Sequence, residues 1–163
     1  MATAKVSMIY CVSAATGVDG GVNRAIADLA PSLSGEALSG DSEAAIKTAI
    51  NAVPGLIEAI DTARQDPDDL YVTTDTAGGV ANRVWPTASE TKPTQAGQSQ
   101  NPRLELEFSG NLNISLWDYD SGSGDDLLGS VTVLESEAGE GEIAKLAAST
   151  VESSAYYVVY TVE

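Results

Sequence analysis

Residues 116–129 read Leu-Trp-Asp-Tyr-Asp-Ser-Gly-Ser-Gly-Asp-Asp-Leu-Leu-Gly. No other stretch constrains the chain as strongly. An apolar strand runs in over 112–117, and another runs out over 127–134. Between them lie Asp118, Asp120, Asp125 and Asp126, with two Ser-Gly pairs. Like charges this close repel and raise one another's pKa values. A hard cation removes that cost, and Ca²⁺ takes about six to eight oxygen ligands. The glycines let the backbone turn tightly. The simplest reading is a calcium loop at the tip of a β-hairpin. The alternative is an acidic, solvated turn without metal, which leaves Asp-x-Asp at a strand end as poor turn chemistry.

Two other calcium motifs fail on spacing. An EF-hand loop counted from Asp118 needs glycine at its sixth position and glutamate at its twelfth. Those positions hold Ser123 and Gly129. The nonapeptide β-roll repeat needs tandem copies, and the chain has one.

Strand chemistry dominates the rest. Residues 6–12, Val-Ser-Met-Ile-Tyr-Cys-Val, read as a first strand. Further strands are expected over 70–76, 80–85, 104–108, 112–116, 128–134 and 155–162. Residues 143–148 are ambiguous between strand and helix. Residues 87–102 read as a polar loop. The period changes to that of a helix over about 19–65. Val22, Ala25, Ile26 and Leu29 share one helical face, and Pro31 ends it. Asp41 or Ser42 can cap a second helix. Ile46, Ile50, Val53, Ile57 and Ile60 then form a stripe, with Pro54 predicting a kink or two helices. The polar side of that stripe carries Glu43, Lys47, Asn51, Glu58, Asp61 and Arg64. This mixed set suits water better than an anionic bilayer. The stripe is therefore expected to pack on the domain itself, beside the acidic end, with Ile50 and Ile57 buried.

The expected fold is mainly β. It is one domain over 1–163, an eight-stranded antiparallel β-sandwich with a helical insertion between the first two strands. Eight Lys and Arg against 24 Asp and Glu give a net charge of -16. Such a surface repels nucleic acid and anionic lipid and attracts cations. The basic residues are scattered, so no lipid-headgroup patch is expected. Histidine is absent, which removes the commonest general base and transition-metal ligand. Cys11 lies in an apolar run and reads as a small buried hydrophobe. Residues 1–5 lead into a strand and not into a signal-peptide core. No apolar run reaches membrane-spanning length. The sequence leaves the compartment open.

Three segments resemble C2 domains, which are eight-stranded sandwiches holding calcium in loops at one end. Asp118, Asp120, Asp126 and Gly129 match the family's third calcium loop. Asp69-Leu70-Tyr71-Val72 is similar to the Asp-Pro-Tyr-Val after its first loop. Gln100-Asn101-Pro102 resembles the Asn-Pro before its second. The resemblance covers roughly 66–134. It implies that Asp69 is a ligand and that Asp66 or Asp68 supplies another. The family's earlier first-loop aspartate falls at Ala63, so the first-loop ligands stay open, with Asp19 and Asp61 among them.

The expected function is a calcium-binding, non-enzymatic structural or interaction module, with calcium ions and either a protein partner or a second copy as partners. Calcium-dependent association with a phospholipid membrane is the alternative. An enzyme is not expected. The only acid-base groups are carboxylates, and adjacent aspartates on a strand end suit a metal better than hydrolysis.

Overall fold

The structure is a computed structural model, and it describes residues 1–33, 35–63 and 66–163. Arg64 and Gln65, at the end of the expected insertion, lie outside the described residues. Two antiparallel sheets face each other as a β-sandwich. One contains β1 (Ala2–Ser13), β4 (Ser99–Gln100), β5 (Leu104–Phe108), β8 (Ile143–Ser149) and β9 (Ser154–Val162). The other contains β2 (Asp68–Thr73), β3 (Lys92–Thr94), β6 (Asn111–Asp118) and β7 (Asp126–Leu134). The orders are β4-β1-β9-β8, with β5 also on β1, and β3-β2-β6-β7. Among the described residues, three helices follow β1 in the chain and precede β2: α1 (Gly20–Leu29), α2 (Ser42–Asn51) and α3 (Leu56–Thr62).

There are two apolar layers. Val6, Ile9, Leu70, Val72, Leu116 and Tyr156 fill the space between the sheets. Met8, Tyr10, Val12, Tyr157 and Val159 face the other way, against Val22, Ile26, Leu29, Ile46, Ile50 and Leu56 of the helices. β1 and β9 therefore have apolar partners on both faces. This is why Tyr-Tyr-Val-Val-Tyr in β9 reads as a continuous apolar run without alternation. β5, at a sheet edge, keeps the alternation of Leu104, Leu106 and Phe108 with exposed Glu105 and Glu107.

The helices start where short acidic side chains satisfy free N–H groups. Asp19 accepts from Gly21 N and Val22 N, and Asp41 accepts from Glu43 N and Ala44 N. Pro54 falls between α2 and α3, where Gly55 takes φ +79°. The stripe is thus broken into two helices with different phases. Ile46, Ile50, Val53 and Ile60 are buried, but Ile57 is 46% exposed and Leu56 takes its place in the core. The expectation that Ile57 is buried is corrected on that point.

Two other expectations change. Residues 80–85 do not form a strand. Val80–Asn82 is a 3₁₀ turn, and only Trp85 bridges to Val72. Pro86 has no N–H to continue the ladder, and pairing with β2 resumes at Lys92. The segment expected as a polar loop, 87–102, holds the short β3 and β4. The described residues contain nine strands where eight were expected. Residues 143–148, left ambiguous above, belong to β8.

Candidate metal centre

β2, β6 and β7 are neighbours, and their register aligns Leu70 with Asp118 and Asp118 with Asp126. Asp118 and Asp126 are therefore paired strand-end residues and not free loop positions. Asp69 stands one residue outside Leu70. Its N–H donates to Asp118 Oδ1 at 2.7 Å, and its carbonyl accepts from Tyr119 N at 2.9 Å. The strand ladder thus brings Asp69, Asp118 and Asp126 to one end of one sheet. Burial pushes the Asp118 carboxyl up to about 6, and the charges of Asp69, Asp126 and Asp120 push in the same direction. The Asp69 N–H works against them.

Asp120 and Asp125 hold the loop between β6 and β7 closed. Asp120 accepts from Gly122 N at 2.8 Å and from the Ser123 hydroxyl at 2.6 Å. These donors hold the exposed Asp120 carboxyl below its usual range, the Ser123 hydroxyl most of all. Asp125 accepts from Asp120 N at 3.1 Å through Oδ1 and from the Tyr71 hydroxyl through Oδ2. Tyr71 in turn accepts from Gly79 N at 2.9 Å. It stacks on Trp117 with centroids 6.3 Å apart. The two serines and two glycines of the tip point the loop back on itself.

Asp68 is placed differently from its neighbours. It alternates inward from Asp69, as strand geometry requires, and is buried. Both its oxygens face Ala15 N, at 3.0 and 3.2 Å, and the Tyr156 hydroxyl donates to Oδ2. Burial pushes its carboxyl up to about 7, against the Tyr156 hydrogen bond and with the Asp118 charge. Asp68 ties the end of β1 to β2 and β9 underneath the acidic end. Asp66 is exposed in the segment that leads into β2.

One acidic residue at this end had no signal in the sequence. Glu152, in the turn between β8 and β9, has its carboxyl raised by burial and then by Asp126. It acts on Asp68 as well. Only the packing of the two sheets brings it there. Thr16 N donates to the Glu152 carbonyl at 2.8 Å and Asp19 N to the Ser153 hydroxyl at 2.8 Å, so the loop after β1 is fastened to the same turn.

Chemically, this end offers carboxylate and carbonyl oxygens, which suit hard cations. Among the described residues, no group of three or more acidic, histidine or cysteine side chains already converges as a metal site. The register gathers the carboxylates, and the internal hydrogen bonds of Asp120 and Asp125 hold two of them on the loop itself. No protein-family model matches the chain, and no match was found among curated proteins. No described helix is long and apolar enough to cross a membrane.

Proposed function

We propose that this chain is a calcium-binding, non-enzymatic interaction module of the C2 type, with its helices as an insertion between the first two strands. The observation that carries the reading is the juxtaposition of Asp69, Asp118 and Asp126 on three adjacent strand ends, with Asp120 close enough to act on Asp118. These four residues would hold the ion. Asp125 keeps the loop in place through Tyr71, and Asp68 serves the fold beneath it. Glu152 flanks the cluster as an outer carboxylate, and Asp66 stands in the segment that leads into β2. A bound cation removes the mutual repulsion that burial and the neighbouring charges impose on Asp118. For Asp120 to join, it must exchange the Ser123 hydroxyl for the metal. The Ser-Gly-Ser-Gly backbone permits that movement. Bridging of acidic surfaces by calcium would then let copies of the chain, or a partner protein, associate.

The test is calorimetric titration of calcium into the chain and into the double variant Asp118→Asn, Asp120→Asn. Light scattering on the same samples reads assembly. Tight binding by the parent and none by the variant is expected. Equal binding by both defeats the assignment.

A second reading, calcium-dependent docking on phospholipid, has one observation in its favour. Val18 is 79% exposed and Val151 65% exposed, in the two loops that Thr16 and Glu152 fasten together at the acidic end. Sedimentation with phosphatidylserine vesicles, with calcium and with chelator, separates the two. Calcium-dependent pelleting that Val18→Asp abolishes supports the membrane reading. Assembly in solution without pelleting supports the first.

A further inference from the structure

We propose that a groove between the helices and the β3–β4 turn binds a small organic cation, an apolar body carrying one ammonium group. Its lining includes none of Asp69, Asp118, Asp120 and Asp126, and it does not depend on calcium. It has two adjoining compartments. The first, about 320 Å³, is mostly apolar and is lined by Tyr10, Val12, Ile50, Ile57, Ile60 and Ala96. That volume lies at the lower end of the range for small-molecule sites, roughly 300–1,000 Å³. The second, about 260 Å³, is more polar and adds Ala63 and Gln95. Asp61 lines both, with Ile60 and Ala96.

The walls are set before any ligand arrives. The turn that carries Ala96 and Gly97 is fastened to β1 by Gly97 N to the Cys11 carbonyl, 2.8 Å, and by Cys11 N to the Gln98 carbonyl, 2.9 Å. The opposite wall is α2 and α3, whose Ile50 and Ile60 are anchored in the core. At the mouth stands Ile57, nearly half exposed.

The charges select the occupant. Lys47 lines the first compartment only, and Glu43 neutralises it at 3.3 Å. Asp61 has no ion-pair partner among the described residues. It stands in the last turn of α3, where the helix carbonyls add negative potential and no described residue of that turn is basic. The net charge of -16 draws cations and repels anions over the whole surface. An apolar body in the first compartment with its ammonium over Asp61 matches this division, and a carboxylate ligand does not.

The test is an NMR titration of the full chain, in chelator, with 2-phenylethylammonium, neutral 2-phenylethanol and anionic 3-phenylpropionate. The ammonium is expected to shift the amides of Ile57, Ile60, Ala96 and Gly97 saturably. It should bind about three- to fivefold more tightly than the alcohol, as suits an ion pair open to water. Asp61→Asn, an exposed change, should erase that preference and leave the melting temperature unchanged. Failure to saturate in the millimolar range, or equal binding of all three probes, overturns the proposal. So does a shift pattern centred on Asp118. Three further outcomes would give the groove another occupant and overturn it equally. These are binding of a lysine- and leucine-rich peptide where the amine fails, self-association broken by Ile57→Asp, or Ile57-dependent pelleting with vesicles.

Discussion

Asp68 makes the stability of this chain fall as pH rises. Its carboxyl is pushed up to about 7 in the folded state by burial, against about 3.9 in an unfolded chain. Between those values the folded state holds a proton that the unfolded state has lost. Stability therefore decreases from about pH 4 to about pH 7 and is flat above that. If Asp68 titrated alone, the loss would be on the order of 4 kcal/mol, or about 10 °C in melting temperature for a chain of this size. Asp118, pushed up to about 6, works in the same direction. It is partly open to water, so screening reduces its share, and its charge helps to raise the Asp68 carboxyl. Glu137 has the opposite sign. Burial pushes it up, but Leu134 N, Lys145 and Tyr160 outweigh burial and hold it below its usual range. Its contribution is present above that range and is lost as pH falls below it.

The perturbation that isolates Asp68 is Asp68→Asn. An amide keeps both contacts, with Oδ1 accepting from Ala15 N and Nδ2 donating to the Tyr156 oxygen, and it carries no charge at any pH. Urea unfolding in chelator from pH 5 to pH 8 should show the parent losing stability over that interval. The variant should keep only the shallower slope that Asp118 contributes and be more stable than the parent at pH 8. A parent whose stability is constant or rises over the interval would refute the reasoning, and so would a variant that keeps the parent's slope.

Three other outcomes are expected. Calcium should raise the melting temperature by several degrees, since a hundredfold excess over Kd is worth about 2.7 kcal/mol. The rise should be larger at pH 8 than at pH 5, where protons compete for Asp118, and scanning calorimetry in calcium and in chelator checks it. Ile50→Asp should cost about 3 kcal/mol or more by placing a charge in the helix–sheet layer, and Ile57→Asp under about 1 kcal/mol; urea midpoints that are equal would contradict the burial assigned to them. Gly129→Ala should destabilise by about 2 kcal/mol or more, because φ is +145° and the new Cβ would stand 2.4 Å from Ala148 N and 2.5 Å from Ala147 C. A parent-like melt for that variant would mean that β7 and β8 are not in contact there.

The parts of the fold that were legible in the sequence are those where one local signal suffices. Alternation marked β5, an aromatic run marked β9, and the capping candidates Asp41 and Ser42 marked the start of α2. Residues 80–85 misled because their composition suits a strand, while their pairing is cut short by Pro86 and by the position of β3 along β2. Ile57 misled because the stripe was counted straight through a break. At Pro54–Gly55 the backbone turns and the second helix restarts in a new phase, so spacing across the break carries no information about burial.

The acidic end divides in the same way, and the division bears on its chemistry. Asp118, Asp120 and Asp126 were legible because they share one hairpin, and register then fixes Asp118 against Asp126. Asp68 and Asp69 are adjacent in sequence and equal in composition. A strand sends consecutive side chains to opposite faces, so one becomes a buried anchor under Tyr156 and the other faces the cluster with Asp118. Glu152 reaches the site across the sandwich from another sheet, and no spacing within the chain encodes that approach. On the proposed reading, charge density draws a cation to this end. Which carboxylates are available to it is decided by side-chain alternation and by sheet packing. Removing Asp69 should consequently weaken cation binding, whereas altering Asp68 should act first on the fold.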